Sequence, residues 1–585
     1  MTDSRDQGVP APDTSDAAHA ATGIEGAIAA ARSGRTDEAW SILCNLKLQA
    51  SEAGRPPLEL LEGILHQQAG DWSSAERVLR TALQSRPGWA AAERVLGCCL
   101  VNQGRYDEAI ALLRHGLADR AFDMEASIAL AVALFRTDRV DDAVEAFRGC
   151  IADERNRARV EEILSSLMVT TMLADRHEPE AVMAIHRKLG GLFERPSASR
   201  AAHANEPAPE RRLKIAYLSP NLRRHVLSMA IEPLLRHHDR ERFHISVYAH
   251  VPNPDDKTQE LESLADRWLF VEDLRDDTLA GRISSDGIDI LIHPMGHWRD
   301  NRIGVLARKP APVQVTYLIN APTSGLRAID YLVADRWVNA DGFMNKHCVE
   351  SIVELASGYS VFHYDVERPA AAAAPSENLG FVTFGSFNNP AKLNDRTLRT
   401  WALIVRRTPQ SRLLLKGRQF DAPEGIGAFR SRYAAAGGDL DRLELAAWCS
   451  RDEHFAYHDR LDIALDPFPF VGGMTTLDAL WMGVPVVTLV GRAPYGRASY
   501  SFLHRIGAPE LCAGTLDQYV SIAVELAGSP DRLRRYRTEL RQRFSQSSLL
   551  DQAGHVRELE QVLHAMWQRW CVTSRRAAGN EGPPP

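Results

Sequence analysis

Three scarcities narrow what this 585-residue chain can be. Eight cysteines, with no CxxC pair, are too few for a disulfide scaffold and are typical of a protein in the reducing cytoplasm. Lysine and arginine number 69 against 76 acidic residues, and the missing basic excess disfavours a nucleic-acid partner. No apolar run approaches about 18 residues, and the first twenty residues lack the basic and apolar regions of a signal peptide. We therefore expect no membrane association and a cytoplasmic location.

Several well-known catalytic motifs are also missing. There is no GxxxxGK[ST] phosphate loop, no GxSxG nucleophile turn and no HExxH zinc helix. Two histidine pairs have the i, i+4 spacing that can bind zinc on a helix, His293 with His297 and His454 with His458. The first pair encloses a proline and a glycine, and the second has no evident third ligand, so we predict no metal site.

The first part of the chain instead carries a repeat of about 34 residues, the period of the tetratricopeptide repeat (TPR), a helix–turn–helix unit. Four alanines recur at spacings of 36, 34 and 34 residues, each followed four positions later by a large apolar residue. These pairs are Ala39–Leu43, Ala75–Leu79, Ala109–Leu113 and Ala143–Phe147. A turn residue precedes each alanine by five positions, namely Gly34, Gly70, Gly104 and Asp138. A generic helical bundle, the alternative, would not keep these anchors in register. TPR arrays form superhelices whose concave groove binds peptides or partner proteins.

After the repeats, the pattern changes to alternating β-rich and helical stretches. Ten short apolar runs, KIAYLS, HISVYAH, IDILIH, VQVTYLI, DYLVAD, FVTFGSF, SRLLLKG, LELAAW, DIALDPF and PVVTLV, predict strands buried on both faces of parallel sheets. They form two series of five, separated by the linker RPAAAAAPSEN. The predicted fold class is therefore α plus α/β, a TPR superhelix followed by two Rossmann-like lobes.

The predicted domain plan divides the chain into six parts. They are a disordered N-terminus (1–22), TPR repeats (23–154), a helical adaptor and linker (155–211), an N-terminal lobe (212–370), a C-terminal lobe (378–572) and a disordered tail (573–585). Ligands of such sheets bind at the carboxyl ends of the strands, so we expect the site there.

The strongest local feature is LDPFPFVGGMTTLDALW, where a strand gives way to a glycine loop and a helix. Gly472 and Gly473 allow backbone N–H groups to approach a ligand, and the helix that begins near Thr475 or Thr476 supplies unpaired donors. Together these features predict a diphosphate site, with Asp478 one turn into the helix, within reach of ribose hydroxyls. The alternative is a capping box, Thr475-x-x-Asp478, that merely starts the helix.

Three further segments follow predicted strands. In FGSFNNPAK, Lys392 could place its charge on a leaving diphosphate, although a solvated lysine after an Asn-Pro turn is the alternative. In SPNLRRHVLSM, His225 could serve as a general base or contact a sugar, or could simply lie at the surface. In HPMGHWRDNR, Gly296 and His297 could line the cleft between the lobes.

The combination resembles the family of nucleocytoplasmic protein O-GlcNAc transferases and plant SPINDLY-type protein O-fucosyltransferases, in a bacterial form. The motifs that carry the resemblance are SPNLRRH, GHWRDNR, RKPAPVQVTYLINAPTSGLRAIDYLVAD, FGSFNNPAK, RDEHFAYH and DPFPFVGGMTTLDALWMGVPVVTL. The resemblance implies an inverting, metal-independent glycosyltransferase of the two-lobed GT-B type that needs no cofactor. Its substrates would be a nucleotide sugar and the Ser/Thr hydroxyl of a protein or peptide lying along the TPR groove.

The resemblance also implies residue roles. Lys392 would stabilise the departing diphosphate, and His225 would lie near the reacting centre. The donor would be held by Asn389, by Arg451 and His454 near the base, and by Asp478 at the ribose. The phosphate-binding turn would comprise Gly472, Gly473, Met474, Thr475 and Thr476. The acceptor proton could leave through His225, a donor phosphate oxygen or water.

This chain departs from the family pattern at several positions. Met474 removes one hydroxyl from the phosphate-binding turn, and Asp289 stands where animal enzymes carry a histidine. Ala356 and the segment Ile319-Asn320-Ala321 replace other usual residues. We favour N-acetylglucosamine from UDP-GlcNAc as the donor sugar. Fucose from GDP, another hexose, or a catalytically weak TPR scaffold remain alternatives. Exposed repeat ends could pair with those of a second copy, so a homo-oligomer is also possible.

Overall fold

The computed structural model describes residues 23–24, 26–27, 29–30, 33, 35–50, 55–118, 123–195, 203–317, 322–364 and 373–579. The predicted disordered N-terminus, Gly34 of the first repeat turn, and the segment Ile319-Asn320-Ala321 lie outside the described residues. The chain divides into two compact units, Met1–Val160 and Glu161–Pro585.

The first unit is an array of antiparallel helix pairs. Its helices are α1 (Thr36–Gln49), α2 (Arg55–Gln68), α3 (Trp72–Ser85), α4 (Ala90–Asn102), α5 (Tyr106–Gly116), α6 (Met124–Arg136) and α7 (Val140–Ile151). The small residues of the repeat lie where paired helices approach most closely. A Cβ on Gly63 or Gly97 would come within 2.6 Å or 2.5 Å of the buried side chain of Leu79 or Leu113. The predicted pairing of small and large residues is therefore the packing between the two helices of each repeat.

The turn inside each repeat uses a left-handed backbone conformation. Gly70, Gly104 and Asp138 have φ values of 75°, 78° and 63° at equivalent positions between the two helices. Glycine adopts this conformation without a steric penalty, and aspartate is among the side chains that tolerate it. This explains why the repeat places glycine or aspartate five residues before each anchoring alanine.

Two adaptor helices lie between the repeats and the lobes in the chain. Helix α8 (Arg157–Leu173) crosses the boundary between the two compact units, and helix α9 (Pro179–Gly190) follows it. Gly190 meets Gly325 of the first lobe so closely that a Cβ on Gly190 would lie 2.2 Å from the Ser324 carbonyl oxygen. The adaptor therefore packs directly on the first lobe.

The first lobe is a seven-stranded, all-parallel sheet of order β3-β2-β1-β4-β5-β6-β7. The strands are β1 (Leu213–Ser219), β2 (Phe243–Ala249), β3 (Arg267–Phe270), β4 (Ile290–His293), β5 (Val313–Thr316), β6 (Tyr331–Ala334) and β7 (Ser351–Glu354). The helices are α10 (Ser228–His237), α11 (Asp256–Glu262), α12 (Asp276–Ser285), α13 (Ile303–Leu306) and α14 (Phe343–His347). The strand order reverses between β1 and β4, where such sheets form a ligand crevice.

The second lobe has a six-stranded parallel sheet of order β10-β9-β8-β11-β12-β13. Its strands are β8 (Thr383–Ser386), β9 (Arg412–Lys416), β10 (Leu443–Ala446), β11 (Ile463–Leu465), β12 (Val486–Leu489) and β13 (Cys512–Ala513). Its helices are α15 (Pro375–Leu379), α16 (Asp395–Arg407), α17 (Pro423–Ala435), α18 (Arg451–His458), α19 (Met474–Trp481), α20 (Ala498–Arg505), α21 (Leu516–Ala527) and α22 (Pro530–Ser545). Here the order reverses between β8 and β11, which places the Lys392 and Gly472 segments side by side.

The last helix returns to the first lobe. Helix α23 (Gln552–Gly579) hydrogen-bonds His238 through Glu560 over 2.9 Å, and Trp567 donates to the Ala208 carbonyl oxygen over 3.0 Å. The predicted domain plan differs here in two ways. Residues 552–572 pack against the first lobe although they follow the second, and residues 573–579, predicted to be disordered, continue the helix.

All ten predicted strands are present, whereas the sequence analysis missed β3, β7 and β13. These three are edge strands of their sheets. Strands β3 and β7 are only partly buried and β13 has two residues, so none of them shows the apolar run of a strand buried on both faces.

No helix within the described part of the chain is long and apolar enough to cross a membrane. All eight cysteines are free thiols.

The repeat packing predicts a stability difference between two glycines in helices. Gly97→Ala should destabilise the chain by about 1–3 kcal/mol, because the new methyl group has no space against Leu113. Gly149→Ala in α7 is the control, since nothing lies within 4 Å of its added Cβ, and alanine should stabilise the helix there by up to about 1 kcal/mol. Circular dichroism at 222 nm during urea unfolding measures both, and equal effects would contradict the packing described.

Candidate functional site

The loop between β11 and α19 is held by a buried carboxylate. Asp466 directly follows β11, and its two oxygens accept from the Gly472 amide over 2.6 Å and from the Thr488 hydroxyl over 2.7 Å. Gly472 has no room for a side chain, because a Cβ there would lie 2.2 Å from the Thr476 hydroxyl. The carboxylate therefore fixes the loop that leads into the helix.

The N-terminus of α19 is open. The amides of Gly473, Met474 and Thr475 donate to no group in the part of the chain that the structure describes. A Cβ built on Gly473 would meet nothing within 4 Å, so space lies in front of these donors. Unpaired amides and the positive end of a helix form an anion site.

Two predicted members of the phosphate-binding turn face inward instead. The amide of Gly472 is taken by Asp466, and the hydroxyl of buried Thr476 is paired with Ser499 over 2.8 Å. The alternative of a Thr475–Asp478 capping box is wrong, since Gly473 is the N-cap and no side chain caps the helix. The donors available to a ligand are thus Gly473, Met474 and Thr475.

Lys392 lies beside this mouth. Its ammonium donates to the Val471 carbonyl oxygen over 2.9 Å and to Asn388 Oδ1 over 3.2 Å, and it lies 4.5 Å from the centre of the Phe470 ring. Burial lowers the pKa of Lys392 to about 8, and the nearby Asp466 carboxylate opposes this shift. The predicted alternative of a solvated lysine is therefore wrong.

The two asparagines before Lys392 have different roles. Asn389, predicted to bind the donor, is exposed, and its Oδ1 accepts from the Ala391 amide over 3.0 Å, which caps the 3₁₀ turn Pro390–Lys392. Asn388 is buried, and its Oδ1 also accepts from the Thr475 hydroxyl over 2.9 Å. The side-chain amide of Asn388 thus connects Lys392 to the N-terminus of α19.

Asp478 and His454 form a second cluster one turn into α19. The buried Asp478 accepts from the Tyr364 hydroxyl over 2.9 Å and pairs with His454 Nε2 over 3.2 Å. The His454 ring also packs edge-on against Phe387 at 5.8 Å. Each carboxylate oxygen can accept a further hydrogen bond, so the pair retains the capacity to bind ribose hydroxyls.

Arg451 reaches from the second lobe to the first. It lies at the start of α18, is exposed, and its guanidinium contacts the Met229 sulfur over 3.2 Å. Met229 belongs to α10, which follows the His225 loop, so Arg451 connects the two walls of the cleft.

His225 lies in the exposed loop between β1 and α10. Its Nδ1 accepts from the Leu227 amide over 3.1 Å, so the proton of the neutral ring is on Nε2. Surrounding protein, assisted by the Arg223 guanidinium, lowers the pKa of His225 from its ordinary value. The ring is therefore neutral near pH 7 and presents an N–H donor at Nε2.

The ring of His297, predicted to line the cleft, is engaged by other parts of the protein, and no contact places Gly296 at the cleft. Both are buried, and the His297 ring contacts Ser165 through Nδ1 over 3.1 Å and the Ser324 carbonyl oxygen through Nε2 over 2.7 Å. Both ring nitrogens are occupied within the protein. His297 therefore joins the adaptor to the first lobe.

Two departures from the family pattern have structural explanations. Asp289 precedes β4, at the end of the sheet opposite the cleft, and is bound by the guanidinium of Arg211 and by Asn205 over 2.7 Å. It therefore anchors the linker. The Ala356 amide donates to Glu558 over 2.6 Å, on the helix that returns to the first lobe.

The two histidine pairs with i, i+4 spacing, at which no metal site was predicted, have no further ligand placed beside them among the described residues. Within the described ranges, no group of three or more His, Cys, Asp or Glu side chains is placed to hold an ion. His458 is buried, and its Nδ1 contacts the His454 carbonyl oxygen over 3.0 Å, as expected for an i, i+4 pair on one helix.

Several residues of the site were not predicted from the sequence. Asn388, Phe470, Tyr364 and Lys416 surround the groups described above. The signal for Asn388 and Lys416 was present, because Asn388 directly follows a predicted strand and Lys416 lies at the carboxyl end of another. Tyr364 gave no signal, since it lies in the segment that connects the lobes.

The comparisons with known proteins agree with this architecture. The profile of glycosyl transferase family 41 matches residues 190–359 and 374–559, and a tetratricopeptide repeat profile matches residues 60–118 and 95–156. The chain belongs to glycosyl transferase family 41. This membership and the two parallel-sheet lobes confirm the predicted family and fold class.

Relatives within family 41 differ in how much of their length this chain covers. The probable UDP-N-acetylglucosamine–peptide N-acetylglucosaminyltransferase SPINDLY of Solanum lycopersicum is 34% identical over 391 residues, covering 66% of this chain and 42% of that protein. The Arabidopsis thaliana protein of the same description is 32% identical, covering 66% and 43%. The chain thus spans less than half the length of these relatives. A mutant of Thermobaculum terrenum O-GlcNAc transferase matches with a TM-score of 0.67 and 31% identity, covering 90% of this chain and 99% of that one.

The environment of Lys392 predicts a titration that can be observed directly. The ammonium should lose its proton with a midpoint near pH 8. The chemical shift of Cε in ¹³C-labelled lysine monitors this titration in NMR spectra. Asp466→Asn removes the charge that opposes the shift, so the midpoint should fall further, while the amide oxygen still accepts from Gly472. A midpoint near the ordinary value of about 10.4 would contradict the burial described.

Proposed function

We propose that this protein transfers a sugar from a nucleotide donor to the Ser or Thr hydroxyl of a protein, with inversion and without a metal ion. The acceptor oxygen forms a bond to the anomeric carbon while the bond from that carbon to the diphosphate breaks. The diphosphate leaves with the electron pair, and the acceptor loses its proton. The step needs positive charge where the diphosphate departs.

The observation that carries this proposal is the juxtaposition of Lys392 with the open N-terminus of α19. The Lys392 ammonium bonds to the Val471 carbonyl oxygen and shares Asn388 Oδ1 with Thr475, so it lies beside the loop that carries the unpaired amides of Gly473, Met474 and Thr475. Donors fixed in advance where negative charge develops supply the largest share of many enzymes' rate enhancement. Such a mouth can stabilise a diphosphate without an ion, and Asp478 with His454 lies one turn further for the nucleoside.

The geometry of His225 narrows the path of the acceptor proton. A base must offer a lone pair, but the Nδ1 lone pair of His225 is taken by the Leu227 amide and Nε2 carries the proton. His225 therefore acts by donating a hydrogen bond to the sugar or the acceptor. The acceptor proton then leaves through a donor phosphate oxygen or water.

UDP-N-acetylglucosamine is the donor that we favour. It is supported by the descriptions of the SPINDLY relatives and of the Thermobaculum enzyme, which all refer to N-acetylglucosamine transfer. GDP-fucose or another hexose donor is the second candidate. A non-catalytic scaffold is less consistent with the polar contacts that position Lys392.

The repeats suggest how the acceptor is held. TPR arrays bind peptides and partner proteins, so a protein acceptor along the groove of the first unit is part of the proposal. The eight free thiols are consistent with a reducing compartment, so the cytoplasm stays the predicted location.

Lys392→Met is the direct test of the proposed chemistry. If the ammonium acts mainly on the departing diphosphate, kcat should fall by about 10²–10³-fold, while the donor Kd changes by less than about tenfold. Release of nucleotide from UDP-N-acetylglucosamine with a Ser/Thr peptide measures kcat, and calorimetry measures the Kd. Lys346→Met, an exposed lysine of the first lobe, is the control. An equal loss of donor affinity and of kcat would contradict this role, because Lys392 would then only bind the donor in the ground state.

Variants of His225 distinguish a donor from a base. His225→Gln keeps an N–H donor and should retain kcat/KM within about tenfold, whereas His225→Ala should lose about 10²-fold. A general base would be lost equally in both variants, so equal kcat/KM values for Gln and Ala would overturn the assignment of Nε2 as a donor.

A further inference from the structure

A buried ammonium lies beside the nucleoside cluster, and none of the roles above uses it. Lys416 ends strand β9 at the carboxyl edge of the second sheet, and its side chain is only 2% exposed. Its Nζ lies 5.5 Å from the ring centre of Phe387, 5.1 Å from Trp448 and 5.8 Å from Tyr457. Three aromatic faces therefore enclose one positive charge, an arrangement in which each face attracts the cation.

The ammonium has few polar partners. In the described portion of the chain, its Nζ makes no ion pair, and the groups that favour its charge are the neighbouring Cys449 sulfur and the Asp478 carboxylate. Desolvation lowers the pKa of Lys416, while the Cys449 sulfur and, more weakly, the Asp478 carboxylate oppose this effect. An ammonium carries three donors, so donors remain for a ligand at a buried position where an unpaired donor is costly.

The position of the cage identifies which part of a nucleotide it faces. Phe387 belongs to both clusters, since it packs against His454 and also encloses Lys416. Asp478 pairs with His454, and its charge is felt at Lys416. The diphosphate mouth lies instead at Gly473 and Lys392. Lys416 therefore lies on the nucleoside side of the site.

We propose that Lys416 is a specificity-determining residue that donates a hydrogen bond to the carbonyl oxygen at C4 of uracil or C6 of guanine in the donor's base. This inference rests on the proposed function, because it takes a nucleotide sugar as the ligand. Uracil and guanine carry an oxygen where cytosine and adenine carry an amino group. An ammonium only donates, so it binds the first pair and repels the second. Desolvation in the aromatic cage strengthens this discrimination.

Calorimetric titration of the full chain with UDP, CDP, GDP and ADP tests the inference. The wild-type chain should bind UDP at least about tenfold more tightly than CDP, and GDP more tightly than ADP. Lys416→Met keeps the length of the side chain but removes its donors, and should bring each pair within about threefold. Arg418→Met is the matched control, because Arg418 is exposed and packs on the same Trp448 ring at 4.4 Å. It should leave both ratios unchanged.

The outcomes separate this inference from the proposed function. Unchanged ratios in Lys416→Met, or an equal loss of affinity for all four nucleotides, would overturn the role in base selection. Failure of the wild-type chain to bind any of the four would overturn the proposed function and this inference with it. If Lys416→Met does not fold by circular dichroism, Lys416→Gln replaces it. An amide both donates and accepts, so the ratios should again converge, and ratios like those of the wild type would count against the inference.

Discussion

The buried carboxylate of Asp466 is the interaction on which the rest of the site depends. It takes the Gly472 amide out of the ligand's reach and thereby turns the next three amides outward. It is also the negative charge that opposes the loss of the Lys392 proton. A lysine next to a helix N-terminus would otherwise be discharged by burial and by the positive end of the helix. One acid thus keeps two positive elements together before any diphosphate is bound.

A second buried carboxylate organises a turn of the first lobe. The buried Glu350 accepts from the Thr323 hydroxyl over 2.6 Å and from the Ser324 amide over 2.7 Å, which fixes the turn that precedes Gly325. The adaptor binds the same turn, through His186 to the Thr323 carbonyl oxygen and through the close approach of Gly190. The adaptor helices therefore hold this turn in place, and a change in their position would move it.

Sequence patterns anticipated the parts of this protein that follow from period and chain order. The TPR register follows from spacing, and the ten strands follow from their apolar runs. The placement of the site at the carboxyl ends of those strands follows from the parallel arrangement. Side-chain direction does not follow from these patterns. Asn388 and Asn389 are adjacent and chemically identical, yet one is buried beneath Lys392 and the other caps a turn in solvent. His297 follows a strand end as His225 does, but the adaptor covers it. Such differences depend on which distant segment packs above a residue.

The two positive groups of the second lobe differ in what surrounds them, and this difference divides their roles. Lys392 bonds to a backbone carbonyl and an amide oxygen, and it lies beside a carboxylate, so its charge is held in place whether or not a ligand is present. Lys416 has aromatic faces and a thiol instead, and these stabilise a cation without fixing the direction of its N–H bonds. A fixed charge suits the departing diphosphate, whose position is the same for every donor. Donors free to orient suit a base edge, where the position of an oxygen decides which nucleotide fits.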